Sequence, residues 1–304
     1  MKIGVVGTFI RDRILPWQGQ ETRSIGGIFF TVSYLANLLD EAAEIYPVCF
    51  VGEDFYDEVT GKLADCKNVT FDGIVKLPRD NTQVRLTYTR PQERDEVTTD
   101  PMPPLGSQHL DVLQDADAVI VNLITGQDVS LAGLHRFRQE SAALIYLDFH
   151  SHALGINSHG KRYYKKPADW QDWVRCVDVL QLNEMEARTL AGCSPQTPAE
   201  ILVEFGREVL RLGPSVCHIT LAEKGSYLLF GDRENPFVKR LKAVHVDNVL
   251  DIIGCGDAFE AAYLVAFLSS GDVVEATRFA HSVAAANCSF VGSSGITSIK
   301  EQIG

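Results

Sequence analysis

The sequence has 304 residues, and its 28 Lys and Arg against 40 Asp and Glu give a formal net charge of −12. An acidic surface of this kind disfavours long-range attraction to nucleic acid and to anionic membranes. Hydrophobic residues make up 45% of the sequence and charged residues 22%, which excludes a disordered chain and a disulfide-rich mini-protein. The composition therefore predicts a globular protein, and a locally positive pocket for an anionic small molecule remains compatible with it.

Cysteine usage and the N-terminal segment indicate the compartment. The seven cysteines are widely spaced, and no CxxC motif occurs, which is typical of reduced thiols in a cytoplasmic protein. Segment 1–9 lacks the layout of a signal peptide, and no apolar run approaches the ~20 residues of a membrane-spanning helix. We therefore expect a cytoplasmic protein without a membrane span.

Strands and helices are expected to alternate along most of the chain. Apolar runs predict buried strands at 2–7, 45–51, 118–123, 143–149, 177–182 and 216–221. Helices are predicted at 28–39, 54–66, 130–141, 183–191, 198–212, 254–270 and 272–287. Pro47 suggests an edge position or an irregular start for its strand, and Asp54 is the expected N-cap of its helix. The alternation predicts an α/β fold of three layers, in which a mostly parallel sheet has helices on both faces.

Two stretches interrupt this alternation. Within segment 71–100, residues 82–90 alternate apolar and polar side chains, which predicts an antiparallel strand with one exposed face. Together with segment 12–25, it is expected to form a small separate sheet, a lid on one domain that spans residues 1–304. Segment 155–173 is predicted to be a long loop, whose clustered basic residues are expected to be solvated or, alternatively, to meet an anionic substrate. These residues are Lys161, Arg162, Lys165 and Lys166.

The sharpest local motif is the run Gly254-Cys255-Gly256-Asp257, which opens a strongly apolar helix. Its glycines allow backbone N–H groups to point inward, and a helix N-terminus adds unpaired donors and a positive dipole end. This combination predicts a phosphate site. A carboxylate there would repel phosphate unless it accepts a proton from an attacking hydroxyl, so Asp257 is a candidate base for phosphoryl transfer. The alternative is an ordinary helix opening in which Asp257 stabilises the dipole.

Three further segments lie at expected turns. The paired glycines Gly26 and Gly27 precede the first long helix. Asn183 and Glu186 follow a strand and share one helix face, where their oxygens suit a hydrated Mg²⁺; a helix cap is the alternative. Segment 220–225 is a polar turn between two predicted strands, for which a plain β-hairpin is the alternative.

The order of these motifs resembles that of the ribokinase-like sugar kinases, the phosphofructokinase-B family. Residues 251–259 match the family signature D-T-x-G-A-G-D-A-F at six of its eight specified positions. The paired glycines, the N-x-x-E motif, the turn at 220–225 and the opening G-x-x-x-x-D of Gly7 and Asp12 match as well, so the resemblance covers essentially the whole chain. Neither a P-loop nor a G-x-G-x-x-G motif occurs, so a dehydrogenase is not expected.

The resemblance implies an ATP-dependent kinase that uses Mg²⁺ to phosphorylate a hydroxyl of a sugar or sugar-like molecule. It implies Asp257 as the catalytic base. The implied anion hole consists of the backbone amides of Gly254, Cys255 and Gly256. The implied nucleotide and magnesium residues are Asn183, Glu186 (through water), Thr220, Lys224, Gly225 and His281. The implied acceptor residues are Asp12, Gly26, Gly27 and Thr31.

Several positions depart from the family pattern. Phe29, Phe30 and Thr31 replace a small polar run and its sugar-binding Asn, which argues against a ribose- or fructose-like binding mode. Ile252 replaces the threonine of the signature, and Ile253 stands at its unspecified position, so the resemblance only weakly implies a monovalent cation at Asp251.

For the histidines, simpler roles are weighed beside the functional ones. His281 either contacts adenine or packs within its helix. His150, His152 and His159 are expected to face solvent or substrate rather than a metal, because no Cys or carboxylate occurs at matching spacing.

Two rivals to a sugar kinase stay open. One is a nucleoside kinase of the same fold, in which Phe29 and Phe30 stack on the base or, alternatively, pack in the core. The other is a catalytically degenerate protein that binds a nucleotide or sugar and regulates. The expected partner is thus a small sugar or nucleoside, with no nucleic acid and no membrane. The expected assembly is a monomer or a homodimer through the lid.

Overall fold

Strands make up two main sheets in the computed structural model, which describes residues 1–90, 93–159 and 161–303. In chain order the strands are β1 (Lys2–Val6), β2 (Phe9–Leu15), β3 (Thr22–Gly27), β4 (Glu44–Gly52), β5 (Ile74–Leu77), β6 (Gln83–Arg90), β7 (Glu93–Thr99), β8 (Ala118–Asn122), β9 (Leu144–Asp148), β10 (Leu154–Ile156), β11 (Arg162–Tyr164), β12 (Val179–Asn183), β13 (Val216–Thr220), β14 (Ser226–Phe230) and β15 (Phe237–Leu241).

The helices lie mainly in the connections between these strands. They are α1 (Phe29–Leu38), α2 (Tyr56–Leu63), α3 (Leu131–Glu140), α4 (Trp170–Val174), α5 (Glu184–Ala191), α6 (Ile201–Leu212), α7 (Cys255–Ser270), α8 (Val273–Asn287) and α9 (Ile299–Ile303). Over the described residues, none of them is long and apolar enough to cross a membrane. All seven cysteines are free thiols.

The central sheet has the strand order β15-β14-β13-β12-β9-β8-β1-β4-β5. Its strands run parallel except β14, which pairs antiparallel with both β13 and β15. Side chains alternate between two apolar cores, since Ile120 belongs to one core while Val119 and Val121 belong to the other. Helices α1, α7, α8 and α9 cover one face, and α3 to α6 cover the other. The predicted α/β class with three layers is confirmed.

A four-stranded sheet lies beside the central one, with the order β3-β2-β6-β7. Strands β2 and β3 come from the first predicted lid segment and its neighbours, and β6 and β7 come from the second. Strand β6 pairs antiparallel with β7 but parallel with β2. An ion pair of 2.6 Å from Arg11 in β2 to Asp54 joins this small sheet to the turn before α2. The one-domain division and the lid role stay predictions.

Two local predictions near α2 are wrong. Asp54 does not cap the helix, whose N-cap is Phe55 without a side-chain bond, because its carboxylate accepts instead from Arg11 and from the N–H of Asn81. Pro47 does not mark an edge strand, since β4 lies between β1 and β5. It falls in a gap of the pairing, after the bridge at Ile45 and before the β5 ladder, where its missing N–H costs no hydrogen bond.

Segment 155–173 is not the plain solvated loop that its polarity predicts. Strands β10 and β11 form a short hairpin, and α4 follows it. The side chain of Arg162 is only 7% exposed, because Glu96 and several hydroxyl and carbonyl oxygens surround it. Lys166 donates to the carbonyl of Leu190 and stacks on Trp170. Arg162 and Lys166 therefore contact neighbouring parts of the fold, whereas Lys161 and Lys165 are exposed.

Candidate active site

A cavity of about 980 Å³ opens at the carboxyl ends of the parallel strands. This edge of an open α/β sheet is where ligands bind in such folds. Polar side chains from four neighbouring strands or the turns after them reach it or its wall: Asn122, Asp148, Asn183 and Thr220. The small sheet contributes one wall, through Asp12 and Glu96, and segment 243–249 contributes the opposite one.

Asp257 lines this cavity from the first turn of α7. Its Oδ1 accepts hydrogen bonds from the Thr31 hydroxyl and the Asn122 amide, both at 3.0 Å. Burial raises the pKa of Asp257 to about 6, so the carboxyl is more basic than an ordinary Asp and is still ionised at neutral pH. The sequence did not single out Asn122, whose only signal is its place at the end of a buried strand.

The backbone before Asp257 is held open by glycine. Gly254 has φ +84°, and a Cβ there would lie 2.6 Å from the Phe30 ring. The first i−4 hydrogen bond of α7 runs from Ala258 N–H to the Gly254 carbonyl at 2.8 Å. The N–H groups of Gly256 and Asp257 precede that bond and therefore have no intrahelical acceptor. Cys255 N–H makes a long 3.3 Å bond to Ile252, and its thiol lies 3.4 Å from that of Cys288.

Asn183 and Glu186 form a complete capping box at the start of α5. The Asn183 side chain accepts from Glu186 N–H at 3.0 Å, and the Glu186 carboxylate accepts from Asn183 N–H at 2.8 Å. The capping alternative is thus the geometry found. Both residues also line the cavity, so the cap fixes two oxygen-bearing side chains at its wall.

Asp148 and His150 join this wall; His150 was expected to face solvent or substrate, and Asp148 had no predicted role. Burial and the nearby charge of Glu186 raise the pKa of Asp148 to about 8. Nδ1 of His150 lies 3.9 Å from a Glu186 oxygen. Desolvation alone would lower the pKa of His150, but Glu186 and Asp148 outweigh it and raise the pKa to about 9. The centre of the cavity therefore combines carboxyl groups with one imidazolium.

The predicted nucleotide residues divide into two groups. Thr220, Gly225 and His281 line the cavity, whereas Lys224 is exposed and lies outside its lining. The turn that carries the first two joins antiparallel β13 and β14, as in a hairpin, and Gly225 has φ +89°. Nε2 of His281 is hydrogen-bonded to the Ser226 hydroxyl at 2.8 Å. Burial lowers the pKa of His281 to about 4, so its ring is neutral at pH 7.

The predicted acceptor residues also divide. Asp12 and Gly27 line the cavity, and Gly26 lies behind the Asp12 carboxylate, where a Cβ would come within 2.0 Å of its oxygen. Thr31 is fully buried and lies behind Asp257 instead of on the cavity wall. Phe30 borders the cavity but is only 4% exposed.

Asp251, where the resemblance weakly implies a monovalent cation, has backbone hydrogen-bond partners. Both oxygens of Asp251 accept from backbone N–H groups, of Ile253 at 3.0 Å and of Gly292 at 2.9 Å. Among the three histidines of segment 150–159, His152 contacts the carbonyl oxygen of Gly126 through Nδ1. Across residues 1–90, 93–159 and 161–303, no group of three or more His, Cys, Asp or Glu is arranged to hold a metal ion.

Comparisons with known proteins concern the family and the fold of the chain. The family model described as pfkB family carbohydrate kinase matches residues 18–299. An uncharacterised sugar kinase of Archaeoglobus fulgidus is 32% identical over 117 residues, and a ribokinase of Arabidopsis thaliana is 32% identical over 108 residues. These matches span 38% and 36% of this chain, but only 42% and 27% of the two relatives.

Solved structures share the fold over nearly the whole chain. Arabidopsis thaliana ribokinase in complex with ribose and ATP superposes with a TM-score of 0.77 at 19% identity, covering 99% of this chain and 98% of that one. A pyrophosphate-dependent kinase of the ribokinase family, in complex with a pyrophosphate analog and myo-inositol, gives a TM-score of 0.76 at 18% identity, covering 96% of both chains. At these identities the likeness concerns the fold.

Proposed function

Because the chain belongs to the pfkB family of carbohydrate kinases, we propose that it transfers the terminal phosphoryl group of ATP to a hydroxyl of a sugar or sugar-like molecule. The observation that carries this proposal is Asp257, a half-buried carboxylate at a helix N-terminus, which lines one cavity together with residues of the small sheet and of segment 243–249. Such a place leaves room for a donor on one side and an acceptor on the other, as in-line transfer requires.

Asp257 serves as the base. Its Oδ1 is occupied by Thr31 and Asn122, so Oδ2 is the oxygen that takes the proton of the acceptor hydroxyl. A pKa of about 6 keeps the carboxyl ionised at neutral pH and raises its basicity, which favours proton transfer as the new O–P bond forms.

The start of α7 stabilises the phosphoryl group in transfer. Amides at Gly254, Cys255 and Gly256 form the proposed anion hole, and the positive end of the helix dipole adds to their effect. Support comes from the positive φ of Gly254 and from the helix geometry, which leaves the Gly256 N–H without an intrahelical acceptor. Fixed donors of this kind stabilise the charge that develops in the transition state.

The donor set at the centre of the cavity fits Mg²⁺. Carboxyl and amide oxygens of Asp148, Asn183 and Glu186 are the hard ligands that this ion prefers, directly or through water. Mg²⁺ would neutralise phosphate charge and thereby ease transfer. Glu186 and Asn183 would hold its water shell, and the imidazolium of His150 would add a positive charge beside the phosphates.

The far wall favours a nucleotide over pyrophosphate as donor. Beyond Thr220 and Gly225 the lining is mostly apolar: it includes Ala243, Val244, Val246, Ala284 and Ala285, together with Glu223 and His245. An adenine ring would fill this wall next to the neutral His281, whereas pyrophosphate would leave it empty. Lys224, at the exposed edge of the turn, would contribute charge rather than a defined contact.

The opposite wall favours a compact acceptor. Asp12 would accept hydrogen bonds from acceptor hydroxyls, with Gly26 and Gly27 allowing close approach. Phe29 and Phe30 are 7% and 4% exposed and belong to the core, so neither offers a free ring face to a nucleoside base. This packing favours a sugar or cyclic polyol over a nucleoside. The small sheet would act as the lid that keeps water from the phosphoryl group.

The direct test is ADP formation from ATP and Mg²⁺ with a panel of sugars, cyclic polyols and nucleosides. We expect at least one acceptor to stimulate turnover, and Asp257→Asn to lower the stimulated kcat by about 10²–10⁴-fold. The matched control is Asp65→Asn, at an exposed carboxyl outside the cavity. A panel without any stimulating acceptor, or an Asp257→Asn variant with native turnover, would contradict the proposal.

A further inference from the structure

A second carboxyl lies one helical turn behind Asp257. Glu260 is 0% exposed, although carboxylates are almost never fully buried without a partner of opposite charge. Its hydrogen-bond partners are both neutral: the Thr31 hydroxyl at 2.6 Å and the Asn122 amide at 2.9 Å. Its other oxygen, Oε2, is buried without a hydrogen-bond partner among the described residues.

The same two side chains bridge Glu260 and Asp257. Thr31 Oγ1 lies 2.6 Å from a Glu260 oxygen and 3.0 Å from Asp257 Oδ1. The Asn122 amide lies 2.9 Å and 3.0 Å from the same two atoms. An amide has two protons and serves both carboxyls, but a hydroxyl has one proton and donates to only one of them.

Counting protons therefore decides the charge of the pair. With both carboxyls ionised, one of the two Thr31 contacts would bring lone pairs together at hydrogen-bond distance. With one carboxyl protonated, every contact has its proton. Glu260 is the more favourable site for this proton, because Glu260 is fully buried, whereas Asp257 borders the cavity.

The surroundings support the same choice. Asp257 from α7 and Asp148 from β9 both face Glu260, and burial together with these two charges raises its pKa well above the ordinary value. Tyr146 of β9 also faces it, while α1 and β8 contribute the neutral Thr31 and Asn122. Hydrogen bonds from Thr31 and Asn122 favour the ionised form of Glu260, but burial and the two neighbouring carboxyl groups outweigh them.

We propose that Glu260 is a positioning residue for the base, a carboxylic acid whose O–H bonds Thr31 and thereby directs the Thr31 proton to Asp257 Oδ1. This inference rests on the proposed role of Asp257. In the resulting series of hydrogen bonds, Glu260 donates to Thr31 and Thr31 donates to Asp257. Oδ1 stays occupied and Oδ2 remains the basic oxygen, while the proton from the acceptor stays on Asp257 because Glu260 already holds its own.

Two variants of Glu260 separate positioning from relay and from plain packing. Glu260→Gln keeps the shape and supplies an N–H to Thr31, so we expect kcat within about threefold of native and an unchanged acid limb of the kcat–pH profile. Glu260→Leu keeps the volume but removes the donor, so we expect kcat to fall about 10–100-fold with the acceptor KM within about twofold. An acid limb moved to lower pH in Glu260→Gln, or a kcat as low as in Glu260→Leu, would overturn the proposal.

A further variant covers the possibility that Glu260→Leu does not fold. Thr31→Val removes the bridging hydroxyl at similar volume, and Thr31→Ser restores it. We expect the kcat loss of Glu260→Leu to recur in Thr31→Val and to be absent in Thr31→Ser. Native kcat in both Thr31 variants would assign Glu260 a purely structural role.

Infrared spectroscopy tests the protonation without any assay of turnover. The difference spectrum of native protein minus Glu260→Gln at pH 7.5 should contain the C=O stretch of a buried carboxylic acid. A carboxylate band in its place would overturn the proposal. This measurement keeps its meaning if no acceptor is ever found, so it separates a failure of this inference from a failure of the proposed function.

Discussion

The reaction end and the acceptor end of the cavity are built in different ways. At the reaction end, the start of α7, the α5 cap and the strand ends hold Asp257 and its neighbours through backbone conformation and buried hydrogen bonds. At the acceptor end, the small sheet is joined to the rest by side-chain contacts, such as the ion pairs of Arg11 with Asp54 and of Arg162 with Glu96. The reaction end thus depends on backbone conformation and buried hydrogen bonds, whereas the acceptor end depends on ion pairs whose carboxylates are partly exposed.

The sharpest way to break the reaction end is Gly254→Ala. Alanine at φ +84° costs about 1–2 kcal/mol, and its Cβ would displace Phe30 from 2.6 Å. A shift of the helix start by about 1 Å would lower kcat about 100-fold, and we expect Tm to fall by a few degrees in thermal denaturation.

The matched control for this change is Gly256→Ala. A Cβ there meets its nearest atom at 3.6 Å, an ordinary contact, and alanine is favoured in a helix. We expect the Tm of this variant to equal or exceed that of the native protein. An equal loss of Tm in both variants would show that the strained backbone of Gly254 is not what holds this end.

The pH dependence of kcat/KM tests the reaction end without any substitution. Because burial raises the pKa of Asp257 to about 6, its carboxylate becomes protonated below that pH and no longer accepts the acceptor proton. We expect kcat/KM to fall about tenfold per pH unit below about pH 6. A limb near pH 4, the ordinary range of an Asp, would show that Asp257 is not the titrating base.

We expect a substitution at the acceptor end to affect binding of the acceptor rather than turnover. Asp12→Asn removes a charged hydrogen-bond acceptor, and such a bond is worth about 1.5–3 kcal/mol. We expect the acceptor KM to rise at least tenfold while kcat stays within about threefold, measured by steady-state kinetics. Glu21→Gln is the control, since Glu21 pairs with Arg13 on the same sheet outside the cavity lining; an equal effect there would indicate a change in the sheet as a whole.

The smallest effect is expected at Lys224. Its side chain is exposed and lies outside the cavity lining, so Lys224→Ala should change the KM for ATP by less than about threefold. The same assay with Thr220→Val provides the comparison at a residue that does line the cavity. A tenfold rise in KM for Lys224→Ala would show that the turn moves toward the phosphates.

The sequence predicted the fold class and the motif positions because both depend on local patterns. Buried strands appear as apolar runs, and the glycine at 254 indicates a backbone conformation of positive φ that other residues avoid. Asn122 and Glu260 escaped notice because their roles depend on partners far along the chain, 135 residues from Asn122 to Asp257 and 229 residues from Thr31 to Glu260. No local pattern shows such a contact.

Arg162 was misjudged for the same reason. A basic run in a polar segment is usually solvated, and only the approach of β11 to the small sheet buries this side chain. Asp54 is a further case. Its residue type suits an N-cap, but its carboxylate accepts a hydrogen bond from the long-range partner Arg11.

The capping box of α5 has a consequence for the thermodynamics of ligand binding. Glu186 is held by the backbone N–H of Asn183 at 2.8 Å and is only 4% exposed. A free glutamate side chain loses rotamer entropy worth roughly 1.5–2 kcal/mol when it becomes fixed. Here that loss accompanies the folding of α5. A cation that binds at the cavity therefore meets a carboxylate that is already fixed, and its binding does not include this loss of entropy.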